Sequence, residues 1–293
     1  MPGNKPAISY VPTVVQRAFS AHIGDRAQQE AAVRVGPAWD YGIKVGNIVV
    51  APVAQVERAN WSAAVREKLH VEHVNIAKSV RSSDGRLVVA GWKATEFAPG
   101  TLTDRADQVI LAALRLDDAL ASIPVPDIFP THVDQCRVES DFFDVADLAA
   151  WADDPGMFLD AGLNVRAQAD ESQLVALSLA AQAIDRLTPI DAPDQVTHAD
   201  MFATTILSWG ADPTVTDIVP VKHPHGFTAA LAIIDSLIAG ATTVHVVDRF
   251  ADVENITQLV YRALLYRLYV HALHPLSHPN SRSSIVRVAR ELL

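Results

Sequence analysis

The chain has 293 residues, 49% of them apolar, enough to bury one substantial core or two packed lobes, which excludes a disordered or fibrous protein. With 24 basic against 34 acidic residues the net charge is −10, and no basic cluster offsets it, so repulsion from phosphate backbones argues against a general nucleic-acid binder. The single cysteine, Cys136, allows neither an intrachain disulfide nor a cysteine zinc site; with a start, Met1 to Pro6, that lacks a basic stretch followed by an apolar run, it points to a reducing, cytoplasmic location.

The first hundred residues read as strands and turns around one helix. Ile43 to Val53 is β-branched on both sides of Gly46-Asn47, which predicts a hairpin with a two-residue turn. Ala54 to Leu69 carries Trp61, Val65 and Leu69 at fourfold spacing, which predicts a helix with one apolar stripe. A second hairpin is expected to turn at Asp84-Gly85, its return strand running from Arg86 through Trp92 to Phe97 and stopping at Ala98-Pro99-Gly100.

Beyond Gly100 the period becomes helical. Asp104 is placed to cap a helix bearing Ala106, Val109, Ile110, Ala113, Leu114 and Leu120, and helices follow at Asp170 to Leu187, Gly226 to Ala239 and Val253 to Leu273. The longest apolar stretch, Phe227 to Ala241, contains Asp235 and Ser236 and is shorter than the ~20 residues a bilayer demands, so it is expected to be a buried helix. One short exception, Thr204 to Ile218, has apolar runs flanking Gly210-Ala211-Asp212-Pro213 and predicts a third hairpin. The expected architecture is α+β and two-lobed: a sheet-rich lobe over residues 1–97 and a mainly helical lobe over residues 98–293 holding that hairpin.

His198-Ala199-Asp200 precedes the third hairpin and Asp217 follows it, so the hairpin brings two carboxylates near each other. Phosphoryl transfer needs such a pair: one carboxylate to orient the attacking hydroxyl, one to hold a cation that neutralises phosphates. The order of His-x-Asp, hairpin and Asp, after a strand ending in Glu96-Phe97-Ala98-Pro99-Gly100, resembles the aminoglycoside phosphotransferase and choline kinase group of the protein-kinase-like fold. Within it the chain resembles a bacterial subgroup marked by Val89-Ala90-Gly91-Trp92-Lys93-Ala94-Thr95 and His271-Ala272-Leu273-His274-Pro275.

That resemblance implies ATP and Mg2+ as cofactors, a small-molecule acceptor, Asp200 as catalytic base beside His198, Asp217 as principal metal ligand, and Thr95, Glu96, Phe97 and Ala98 as the segment meeting the adenine. It also exposes departures. Thr205 stands where active members carry a metal-ligating asparagine. The third strand, Val49 to Val53, lacks the phosphate-pairing lysine, Ala51 being its match. Around the Gly46-Asn47 turn Lys44 faces Val49 and shares the side of Ala51, so it either replaces that lysine or lies on the sheet surface. The phosphate loop is reduced to Arg34 to Gly42, with Pro37 offering no N–H, and the helix glutamate that would pair the lysine is Glu57 or Glu67.

Two functions fit: an ATP- and magnesium-dependent small-molecule kinase, or a pseudokinase that uses the same cleft or its surface to bind a nucleotide, another ligand or a partner protein. Asp235, alone in an apolar helix, is expected to brace the loop at His198 to Asp200. His223, His225, His271, His274 and His278 lack a completing cysteine or spaced carboxylate and are expected to be ordinary polar residues, and the five tryptophans core anchors.

Overall fold

The computed structural model describes residues 10–22, 32–102, 104–132, 135–136, 141–163, 171–274, 277 and 279–293. It divides into two compact units, residues 1–128 with 195–222, and residues 129–194 with 223–293. His278 of the histidine set and Asp170, the expected helix start, lie outside the described residues.

The strands are β1 (Val33–Arg34), β2 (Ile43–Val45), β3 (Ile48–Pro52), β4 (Asn75–Ile76), β5 (Val88–Val89), β6 (Trp92–Glu96), β7 (Thr101–Leu102), β8 (Asp194–His198), β9 (Thr205–Leu207), β10 (Thr214–Val215) and β11 (Pro220–Pro224). An antiparallel sheet runs in the order β1-β2-β3-β6-β5, and a mixed sheet in the order β4-β10-β9-β7, in which β4 and β10 run parallel. The β2–β3 hairpin turns at Gly46-Asn47, with Val45 opposite Ile48 and Lys44 opposite Val49. Gly46 takes a φ of 60°, which glycine reaches without the steric cost a Cβ brings.

The hairpin expected at Asp84-Gly85 is arranged differently. Ser82 to Arg86 closes as a tight loop, in which the Ser82 N–H donates to the Arg86 carbonyl at 2.8 Å and Gly85 takes a φ of 85°. The strands that pair are β5 and β6, joined by Ala90-Gly91 at φ 49° and 76°. Both turn residues are left-handed, the requirement of a two-residue turn matched to strand twist.

Strand alternation puts the two sides of β3 to different uses. Ile48 and Val50 join Ile43, Val89, Trp92 and Ala94 in a core covered by Val15 and Phe19, at and just beyond the helix Thr13–Ala18. Val49 and Ala51 face the other way, toward the helix Val56–Lys68 and the β9–β10 hairpin, and they too are buried. That second side carries the site.

The second unit is helical. Ile256–Leu273 packs against Phe142–Trp151, Glu171–Ile184 and Phe227–Ala239. Phe227–Ala239 is apolar around nearly its whole circumference and correspondingly buried, and Gly240 ends it at φ 73°, its N–H bonding back to Leu237. Its one carboxylate, Asp235, takes a bidentate pair from Arg267 at 2.7 and 2.5 Å, which satisfies the charge locally. Among the described residues no helix is long and apolar enough to cross a membrane. Trp39 and Trp92 are buried, but Trp209 is 98% exposed at the tip of the β9–β10 hairpin, because the turn Gly210-Ala211-Asp212-Pro213 carries the chain away from the core.

Candidate functional site

The site is built wholly within the first unit. β8 ends at His198, and Asp200 precedes the short helix Met201–Thr204, which runs directly into β9. Across the hairpin Val215 pairs with Thr205, and the ladder continues outward: the Thr216 N–H donates to the Thr204 carbonyl at 2.9 Å and the Ala199 N–H to the Val219 carbonyl at 2.9 Å. Asp200 and Asp217 therefore stand at the same end of the hairpin.

His198 is fully buried, and its environment fixes its tautomer. Nδ1 accepts the Val219 N–H at 2.9 Å, so Nε2 carries the proton and donates to Thr204 Oγ1 at 2.8 Å. That hydroxyl donates in turn to the Asp200 carbonyl at 2.8 Å. A neutral histidine thus sets the backbone on which Asp200 is carried, through one threonine. Thr205 is also buried, and its hydroxyl donates to the Met201 carbonyl at 2.8 Å.

Asp217 sits in a compact charge cluster. Its Oδ1 accepts from Ser62 Oγ at 2.9 Å and lies 3.3 Å from Arg66 Nε, out of hydrogen-bond alignment; its Oδ2 accepts a short bond from Lys93 Nζ. Lys93 Nζ also contacts Asp40 Oδ2 at 2.7 Å. Arg66, completely buried, spends Nη1 on the carbonyls of Ala77 at 2.8 Å and Thr216 at 3.2 Å. Two cations and two carboxylates close the cluster at zero net charge. Burial alone would raise the Asp217 carboxyl, but Lys93 and Arg66 outweigh it and hold it well below the usual carboxylate range. Burial likewise disfavours the Lys93 ammonium, and Asp217 with Asp40 reverse that and hold it above the ordinary lysine value.

Lys93 reaches Asp217 because of register. It lies directly opposite Ala51 in the β3–β6 ladder, so an ammonium absent from β3 is supplied from the neighbouring strand on the same face. Lys44 goes elsewhere: its Nζ lies 4.9 Å from the centre of the Phe97 ring. The helix Val56–Lys68 turns Ser62 and Arg66 toward Asp217, while Glu67 pairs with Arg81 at 2.6 and 2.7 Å. Thr95 is buried with Oγ1 3.5 Å from the Arg66 guanidinium, Glu96 is exposed, and the Phe97 N–H donates to Asn47 at 2.8 Å.

The gap between the five-stranded sheet and the β9–β10 hairpin is filled from within the chain. A 3-10 turn, Pro37–Trp39, tucks Ala38 and Trp39 against Val49, Ala77 and Ile206, with Phe97 and Ala98 packed beside them. The Trp39 and Phe97 ring centres are 5.4 Å apart. Thr216 Oγ1 donates a short bond to the Ala38 carbonyl. In this arrangement the donors do not fit Mg2+: Asp217 is engaged by two cations and a hydroxyl, the Thr205 proton is committed, and among the described residues no group of three His, Cys, Asp or Glu gathers.

No protein-family model matches the sequence, and no curated protein matches it. Similar solved structures include an aminoglycoside phosphotransferase from Alicyclobacillus acidocaldarius, 14% identical, with 99% of this chain and 95% of that one covered and a TM-score of 0.52. An ethanolamine kinase from Plasmodium vivax is 12% identical, with 94% and 86% covered and a TM-score of 0.52. An amicoumacin kinase in complex with AMP-PNP and Ca2+ is 13% identical, with 84% and 80% covered, at 0.48. The chain has the α+β, kinase-like fold of the aminoglycoside phosphotransferase and choline kinase group.

Proposed function

We propose that the chain transfers a phosphoryl group from ATP to a hydroxyl of a small molecule. The observation that carries this reading is Lys93: opposite Ala51 on the same face of the sheet, it presents a buried ammonium to Asp217. An ammonium held there by carboxylates is placed to exchange one of them for a phosphate oxygen, which it binds as a point charge. Asp200, carried on the backbone that His198 and Thr204 fix, takes the proton of the attacking hydroxyl as the new O–P bond forms and the β–γ bridging P–O bond breaks; the electron pair leaves on the nucleoside diphosphate. The structural neighbours named aminoglycoside phosphotransferase and ethanolamine kinase support a small-molecule acceptor.

A second reading, a pseudokinase that binds a ligand or a partner protein without turnover, is favoured by Arg66. The helix presents a cation to Asp217 where an active kinase sets a glutamate against its lysine. Loss of one preorganised electrostatic group typically costs ~100-fold to 1,000-fold in rate. Calorimetry of ATP binding with and without Mg2+, on the native chain and Asp217→Ala, together with ADP release in the presence of candidate amino-alcohols and aminoglycosides, separates the two. The proposal expects ATP binding that Asp217→Ala weakens, since Lys93 loses the carboxylate that places it, together with acceptor-dependent ADP release by the native chain. ATP binding indifferent to Asp217, without ADP release, supports the pseudokinase.

A further inference from the structure

We infer that the segment Gly36–Gly42 is an internal stand-in for the nucleotide, Trp39 occupying the place of the base and Asp40 the place of a phosphate, so that ATP binds only when the segment swings out. The inference rests on the reading of Lys93 as a phosphate ligand and names the regulation of that same site.

Three observations carry it. The first is shape: an indole is a bicyclic aromatic close to a purine in size, and Trp39 lies against Val49, Ala77, Ile206 and the Phe97 ring. The second is charge: one residue on, Asp40 places a carboxylate oxygen 2.7 Å from Lys93 Nζ, the atom a phosphate would seek. An aromatic ring followed at once by an anion reproduces the order of base and phosphate. The third is backbone: Asp40 and Tyr41 are consecutive non-glycine residues at φ 54° and 53°, a conformation side chains disfavour and which persists only where surroundings impose it.

The ends of the segment suit a hinged element. At Gly42 the position of a Cβ lies 2.6 Å from the Val50 carbonyl oxygen, so only glycine allows the chain to lie this close to β3. At Gly36 nothing lies within 4 Å, and the adjoining β1 residues Val33 and Arg34 are exposed. The Asp40 side chain is 36% exposed, so the ionic contact opens to water first and the Trp39 contact last. While closed chains predominate, the apparent affinity for ATP is reduced by the fraction that is open.

Calorimetric titration with ATP of the native chain, Asp40→Asn and Trp39→Ala tests this. Asp40→Asn keeps the apolar contacts and so retains the fold; it is expected to tighten ATP binding by about fivefold, and Trp39→Ala by about tenfold or more. ATP binding in both variants at or below the native affinity overturns the inference, and if Trp39→Ala does not fold, Asp40→Asn alone decides it. Adding Lys93→Met separates this from the proposed function. Tightened binding that Lys93→Met leaves intact, with no ADP release by the native chain, sinks the phosphate role of Lys93 and with it the assignment of Asp40 to a phosphate's place; untightened binding alongside ADP release sinks the plug alone.

Discussion

Replacing Lys93 with methionine removes one of two cations flanking Asp217 and leaves a side chain of similar length in its place. The gross stake is large: two unit charges 2.7 Å apart, the spacing of Lys93 and Asp40, interact by about 6 kcal/mol at an effective dielectric constant of 20. Desolvation of both groups cancels much of that, and breaking a buried pair costs about 3–5 kcal/mol where the remaining charge has no other partner. Here Asp217 keeps Arg66 and Ser62, and Asp40 can turn to water, so the expected loss is about 2–3 kcal/mol. In an Asp217→Asn background the same replacement should cost about 1 kcal/mol or less, a coupling of about 2 kcal/mol.

Urea denaturation followed by circular dichroism measures all four corners of that cycle. The effect should persist in 1 M salt, since buried pairs are screened far less than exposed ones. It should also be flat across neutral pH. Asp217, held below the carboxylate range, contributes stability that is complete above the ordinary carboxyl pKa and lost as pH falls through its lowered folded value; Lys93, held above the ordinary lysine value, contributes fully below that value and loses its share as pH rises past its raised one. The loss on Lys93→Met should therefore be constant from about pH 5 to about pH 9. A loss under about 0.5 kcal/mol, or one abolished by salt, refutes a buried cluster held by Lys93.

Gly42→Ala forces a Cβ to within 2.6 Å of the Val50 carbonyl oxygen and 2.8 Å of a Val49 methyl, both fixed in the sheet. It should cost about 1–3 kcal/mol and raise acrylamide quenching of tryptophan fluorescence as Trp39 is displaced; unchanged stability and quenching would contradict the packing of this loop. In the second unit, burial pushes the Tyr269 hydroxyl up to about 12, with Arg262 opposing. An acid whose folded pKa is raised costs stability between its unfolded and folded values, so the chain should weaken from about pH 10 to about pH 12, and Tyr269→Phe should remove that share. Absorbance titration of native and Tyr269→Phe protein checks it, and loss of a tyrosine ionising near pH 10 would count against it.

Local signals carried much of the fold. Gly46-Asn47 between β-branched runs gave the β2–β3 hairpin in register, and apolar runs around Gly210 to Pro213 gave the β9–β10 hairpin that sets Asp200 and Asp217 at one end. Asp84-Gly85 looks like the stronger turn beside Ala90-Gly91, since alanine resists a positive φ; the pairing of β5 with β6 overrides that preference. Lys93 was in view only as part of a family mark. Its role depends on β6 lying beside β3 with Lys93 opposite Ala51, a pairing 42 residues apart in sequence that no local pattern encodes. Arg66 was hidden for the same reason: a helix stripe defined by Trp61, Val65 and Leu69 does not reveal that the neighbouring face meets Asp217. Nor could composition distinguish Trp39, which fills the gap beneath the sheet, from Trp209, which stands in solvent.

The most direct measurement is to move the lysine one rung across the ladder. Lys93→Ala should weaken both stability and ATP binding, and adding Ala51→Lys, on the strand opposite and the same face, should restore most of each, because the ammonium returns to Asp217 from β3. A double variant no better than Lys93→Ala, in stability and in ATP affinity, would contradict the account that Lys93 stands in for the lysine β3 lacks.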